Sequence, residues 1–163
     1  MKALSRLLVI TLALAASLCG CSSDGCLDNS SAIPLAAFYR GTQAVTLTSL
    51  TVSGIDAPGD TLLADAASLR QIYLPFRLNA SEVSFKFDYN DEQVEPDVLT
   101  FRYKATPVFV SHDCGAMYHF EITEWEFTQN AIEDVVIADK VITNLDRVAI
   151  KIYFKEESDD DEV

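Results

Sequence analysis

Cations are scarce in this chain: 12 Lys and Arg stand against 25 Asp and Glu, a formal net charge of −13 over 163 residues. Phosphate binding needs clustered Lys and Arg, so this balance argues against a nucleic-acid partner. Amphipathic helical periodicity is also missing, since no apolar 3.6-residue pattern persists for the 11 or so residues a helix needs. That excludes a coiled coil. Internal repeats are absent, and so is the G-x-S-x-G nucleophile elbow of the hydrolases. What is present is 49% apolar and 10% aromatic residues, too many for a disordered chain. The length is that of one domain.

The single long apolar run lies at the N-terminus. Lys2 and Arg6 precede residues 7–18, which are apolar except for Thr11 and Ser17. The run is too short for a membrane span of roughly 20 residues. It leads into Leu18-Cys19-Gly20-Cys21, which resembles the bacterial lipobox. In signals of that kind the second cysteine's thiol receives a diacylglycerol, the chain is cut before it, and the new amine is acylated. The expected organisation is a signal peptide over residues 1–20, a tether over 21–31 lipidated at Cys21, a β-domain over 32–155 and an acidic tail over 156–163. Two or three acyl chains anchor a protein stably, where one is marginal. The membrane is therefore an expected partner, reached through these acyl chains. Ser22 and Ser23 follow the anchor, a pattern like that of outer-membrane sorting, with the periplasmic and surface faces both open. A secretory signal cut near Ala16 or Gly20 is the plainer alternative.

Loss of Cys19 with the signal and acylation of Cys21 leave two cysteines, Cys26 and Cys114. An even pair in an oxidising compartment is expected to form a disulfide. Two buried free thiols are the alternative.

Beyond residue 32 the pattern has period two. Leu35, Ala37 and Tyr39 alternate, as do Phe85, Phe87 and Tyr89, and Leu99, Phe101, Tyr103 and Ala105. Ile72, Leu74, Phe76 and Leu78 alternate strictly, with Pro75 favouring an edge or bulge. Residues 62–69 read as a short helical turn or a loop, and 90–97 as an acidic loop. Pro107 is expected to interrupt the strand that begins near Leu99. The parity shift from Ile122 to Trp125 suggests a bulge. Residues 132–143 form one strand or two short ones, and 148–154 a final strand. The fold class expected is all-β, an antiparallel β-sandwich of the immunoglobulin-like kind with seven or eight strands. A small closed barrel is the alternative. An outer-membrane barrel is excluded by the charges on alternate faces and the lack of a lipid-facing belt.

Three groupings could carry chemistry. Ser111, His112 and Asp113 hold the residue types of a hydrolase triad, but strand neighbours point to opposite faces and cannot converge. If Gly115-Ala116 is a two-residue turn, His112 faces His119 and Cys114 faces Met117. Those four side chains would make a soft-metal site for copper or zinc, the alternative being two ordinary histidines beside a stapled turn. Asp88, Asn90, Asp91, Glu92 and Asp97 could supply oxygen to calcium, although the EF-hand pattern fails at Gln93 and Leu99. The acidic tail reads as a solvated run. No catalytic residue and no cofactor are expected.

The lipobox at Cys21, Cys26 shortly after it, residues 97–103 (Asp-Val-Leu-Thr-Phe-Arg-Tyr) and residues 110–115 (Val-Ser-His-Asp-Cys-Gly) together resemble small envelope lipoproteins of Bacteroidota-type bacteria. That family carries a domain of unknown function. The resemblance runs from about residue 26 to residue 154 and departs from the family pattern at Val98, where Thr is usual. It implies an envelope lipoprotein with a β-rich domain and no assigned activity. The expected role is a non-enzymatic binding or accessory module at the outer membrane, working with an envelope protein. The alternatives are the soft-metal protein and a carbohydrate-binding module of an outer-membrane uptake system, in which Tyr103, Tyr118 or Trp125 would be exposed on one sheet face.

Overall fold

A computed structural model describes residues 32–56, 61–111 and 115–156. Eleven strands build two facing sheets, and no helix occurs among the described residues. Leu35–Arg40 (β1), Gln43–Ala44 (β2), Gln71–Tyr73 (β5), Ile132–Ile137 (β9) and Val148–Phe154 (β11) form one sheet. Leu47–Ile55 (β3), Leu62–Leu69 (β4), Glu82–Asp88 (β6), Asp97–Ser111 (β7), Gly115–Phe127 (β8) and Val141–Ile142 (β10) form the other, in the order β10-β8-β7-β6-β3-β4. The all-β sandwich is therefore present, with eleven strands rather than seven or eight. Three of the eleven, β2, β5 and β10, have three residues or fewer.

Period-two alternation carries the core. Val83, Phe85 and Phe87 from β6, and Leu99, Phe101 and Tyr103 from β7, meet Phe38 of β1 and Ile150 and Ile152 of β11. Burying each such Phe or Ile contributes roughly 1.5–3 kcal/mol. Phe76 stacks on Tyr103 with ring centroids 4.4 Å apart, and its edge meets Phe120 at 5.7 Å. The Tyr103 hydroxyl donates to the Arg77 carbonyl at 2.8 Å and accepts from the Arg77 N–H at 2.9 Å. Burial pushes that phenol's pKa upward.

Four local expectations are corrected. Residues 62–69 are a strand, not a helical turn or loop: β4 follows β3 at the sheet edge through three register shifts, with Ala66 at φ 42°. Edge pairing overrides the helix preference of an Ala- and Leu-rich segment. Of the alternation at Ile72–Leu78 only Ile72 and Tyr73 pair, in β5: Ile72 and Leu74 are buried, but Leu78 is 57% exposed past Pro75. Pro107 does not interrupt β7, where it lies opposite Tyr118. β6 ends opposite Arg102, so Pro107 sits where one edge of β7 is unpaired and a missing N–H is tolerated. Gly115-Ala116 is not the turn: Gly115 already pairs with Ser111, and Ala116 with Phe109.

Two other expectations hold. The parity shift after Ile122 is a bulge, with Tyr103 opposite Ile122 and Arg102 opposite Glu124. The unpaired Thr123 hydroxyl donates to the Arg102 carbonyl at 3.1 Å. Residues 132–143 do split in two, β9 joining one sheet and β10 the other.

The sandwich is not wholly antiparallel. β1 runs parallel to β11, pairing Ala36 with Ile150 and Phe38 with Ile152. This joins the first and last long strands and leaves Arg40 and Phe154 at the same end of the molecule.

Candidate functional site

That end is organised by one buried carboxylate. Asp97 shares parity with Leu99 and Phe101, so β7 carries it into the interior, where it is 0% exposed. Its Oδ1 accepts from the Thr128 hydroxyl (2.7 Å) and the Asn130 N–H (2.8 Å). Its Oδ2 accepts from the Tyr89 hydroxyl (2.8 Å) and from the N–H groups of Ala131 (2.8 Å) and Ile132 (2.9 Å). Burial alone would raise its pKa, but the donors from Thr128, Asn130, Ile132 and Tyr89 outweigh that and hold it below the ordinary aspartate value. Burial and the same hydrogen bond drive the Tyr89 phenol far upward. One side chain thus fixes the segment that follows β6, the end of β8 and the entry into β9.

Above it opens a cleft of about 850 Å³, a size typical of ligand pockets. Buried Leu47 and Phe154 and half-buried Tyr89 contribute its apolar surface. Its walls are residues 46–49, 89–94, 130–131 and 154–156, with Arg40. They are tied by side chain-to-backbone bonds. Asn90, in the left-handed region at φ 52°, donates from Nδ2 to the Ser49 carbonyl (2.6 Å) and the Thr51 hydroxyl (2.9 Å). Lys155 donates from Nζ to the carbonyls of Gln129 (2.7 Å) and Asn130 (2.8 Å). Asp91 accepts the Gln93 N–H at 2.9 Å. Thr46, Thr48, Ser49 and Gln93 present hydroxyl and amide groups, and Asp91, Glu92 and Glu156 carry negative charge.

Of the residues singled out from the sequence, Asn90, Asp91 and Glu92 line the cleft and Asp97 organises it, and the others fall elsewhere. Cys21, Cys26, His112 and Cys114 lie outside the described residues, and with them the lipidation site, the disulfide pairing and half of the soft-metal set. Met117 and His119 lie on β8, but their ladder partners are Val108 and Thr106. The register that set His112 opposite His119 and Cys114 opposite Met117 is corrected accordingly. The Nε2 of His119 is shielded from solvent and makes no hydrogen bond. Among the described residues no group of three His, Cys, Asp or Glu side chains is placed to hold a metal ion.

The calcium set does not converge either. Asp97 spends its oxygens on protein donors, and Asp88 binds Lys86 Nζ at 2.8 Å and the Asn90 N–H at 3.1 Å. Lys86, then the Asn90 N–H, hold the Asp88 pKa below its ordinary value. Of the aromatics proposed for stacking on sugars, Tyr103 is buried, and half-buried Trp125 packs against the core and donates to the Val135 carbonyl at 3.1 Å. Tyr118 alone of the three is exposed, at 40%.

Sequence reading missed Asp97, Asn90 and Lys155 as organisers of this end. Only Asp97 had a signal: an acid at the core-facing parity of the cleanest strand in the chain.

The fold and the cleft define the class, an all-β sandwich domain with a tied cleft at one end. Residues 49–154 match a family described as a family of unknown function (DUF6452), and the chain belongs to it. No curated protein and no solved structure matches the chain.

Proposed function

We propose that this protein is a lipid-anchored lipoprotein of the cell envelope, sorted to the outer membrane, and acts as a non-enzymatic binding or accessory module whose cleft receives its partner. The observation that carries the binding role is the cleft. Its walls are held in place by Asp97, Asn90 and Lys155, so little ordering remains to be done when a ligand arrives. The anchor is supported by the string Leu18-Cys19-Gly20-Cys21 after a basic and an apolar segment.

Two measurements test this. Radiolabelled palmitate should enter the wild-type chain and not Cys21→Ser, and the labelled protein should fractionate with the outer membrane. A photo-crosslinking residue at Gln93, on the cleft wall, should capture one envelope component that the same probe at Glu124, on the outer face of the six-stranded sheet, does not. An unlabelled, freely soluble protein overturns the anchor. Equal capture from both positions overturns the cleft.

A second reading is favoured by the hydroxyl and amide groups of Thr46, Thr48, Ser49 and Gln93. They suit the hydroxyls of a glycan and make the module a carbohydrate binder of an uptake system. Calorimetric titration with envelope-derived or dietary oligosaccharides separates the two, since a protein partner leaves the glycan titration flat.

A further inference from the structure

The charged groups on the cleft walls differ in how far they are engaged. Lys155 holds two carbonyls with its ammonium, at 2.7 and 2.8 Å, and Arg40 has a partner within the chain. The carboxylates are freer. Asp91 accepts one N–H. Among the described residues no hydrogen bond or ion pair reaches the carboxylates of Glu92 and Glu156. All three acids are exposed. The same cleft has Leu47, Phe154, Tyr89 and Val94 as its apolar lining.

One wall also carries backbone with no strand beside it. β4 pairs with Leu47 and next with Leu50, and β6 begins its pairing at Thr51. Thr48 and Ser49 therefore have no register partner in either neighbouring strand, and both are exposed on the cleft wall. Ser49 lies in the left-handed region at φ 55°, and the Asn90 amide on its carbonyl fixes the break in place. Strand backbone left unpaired beside a groove is what an extended peptide adds to when it binds through its main chain.

We propose that the cleft takes an extended segment of a basic protein, one with Lys or Arg within two residues of an apolar side chain. This rests on the cleft being the binding site, as proposed above, and adds the class of its partner. The segment's apolar side chain covers Leu47 and Phe154, its cation meets Glu92 and Glu156, and its backbone lies along Thr48 and Ser49.

Charge decides between classes of partner. The chain as a whole carries a formal −13, so its field draws cationic segments inward and turns acidic ones away. An anionic ligand would face three carboxylates, with the Lys155 ammonium already spent on carbonyls. A neutral one would use neither the field nor the acids. Exposed ion pairs are individually weak, so the carboxylates act mainly by selection, and the apolar lining and backbone hold the segment.

The test uses the full chain in mild detergent and a library of random acetylated, amidated hexapeptides. Lys and Arg should be enriched about twofold or more among the bound sequences. The tightest of them should bind about tenfold more weakly when Glu92→Gln and Glu156→Gln are combined. Combining Glu124→Gln and Glu126→Gln removes the same two charges from the outer face of the six-stranded sheet and should cost less than about twofold. N-methylation of the peptide's central amides should weaken binding about tenfold. A bound set with no excess of Lys and Arg, equal losses in the two double variants, or no bound hexapeptide overturns the basic segment. Binding indifferent to N-methylation overturns the contact with Thr48 and Ser49. The photo-crosslinking residue at Gln93 separates this inference from the reading beneath it. Capture of an envelope component that Glu92→Gln with Glu156→Gln leaves undiminished removes the basic segment and keeps the cleft. Capture of neither envelope component nor hexapeptide removes the cleft itself.

Discussion

The β7–β8 hairpin ends in two different ways. At the cleft end a charged group is buried and every oxygen it offers is used, so backbone segments more than 30 residues apart in sequence are held together. At the other end, past Tyr103 and Phe120, no described strand pairs with the outer edges of β7 and β8, and Tyr118 is exposed. One hairpin is therefore tied to distant segments at one end and held by its own ladder at the other. What separates the two ends is that a buried polar group must be answered by donors, and those donors come from several segments.

The largest test of this contrast is Asp97→Ala. It strands the Tyr89 hydroxyl, the Thr128 hydroxyl and three N–H groups in the interior, and should cost roughly 3–5 kcal/mol in urea unfolding. The pH dependence follows from the same group. Its folded-state pKa is depressed, so its stabilisation is fully present above the unfolded-chain value of about 3.9 and is lost as pH falls through the lower folded value. An acid titration of stability should steepen below about pH 4, and Asp97→Asn should flatten that limb.

Tyr103→Phe removes one hydroxyl bridge to Arg77 and should cost about 1 kcal/mol, read by the denaturation midpoint. The smallest effect is expected from Arg102→Ala. Its guanidinium meets Glu82, Glu124 and Glu126 on the outer face of the sheet. The melting temperature should shift slightly in low salt and not at all in high salt.

Much of the scaffold was legible. Leu99, Phe101 and Tyr103 announced a half-buried strand because period two is a direct image of one wet and one dry face. The shift from Ile122 to Trp125 located a bulge for the same reason. Residues 62–69 were not legible, because an edge strand borrows its conformation from its neighbour β3 rather than from its own Ala and Leu. Pro107 misled because a proline's cost depends on whether its edge is paired, which is a fact about β6.

The cleft was the least legible part. Asn90 and Lys155 act on carbonyls 41 and 25 or more residues away, and a local pattern holds no record of such pairings. In the sequence Asp97 reads as the last acid of the loop 90–97 and as one of several oxygen ligands for calcium. Its place in the parity of β7 would have set it apart, since a lone carboxylate on an apolar face must be answered by donors.

The parallel contact between β1 and β11 bears on the timing of manufacture. Phe38 finds Ile152 only after some 110 further residues have left the ribosome. Until the final strand arrives, the five-stranded sheet has no centre and the opposite sheet has nothing to close upon. A chain built this way cannot close its two sheets on each other until almost all of residues 38–152 have been made.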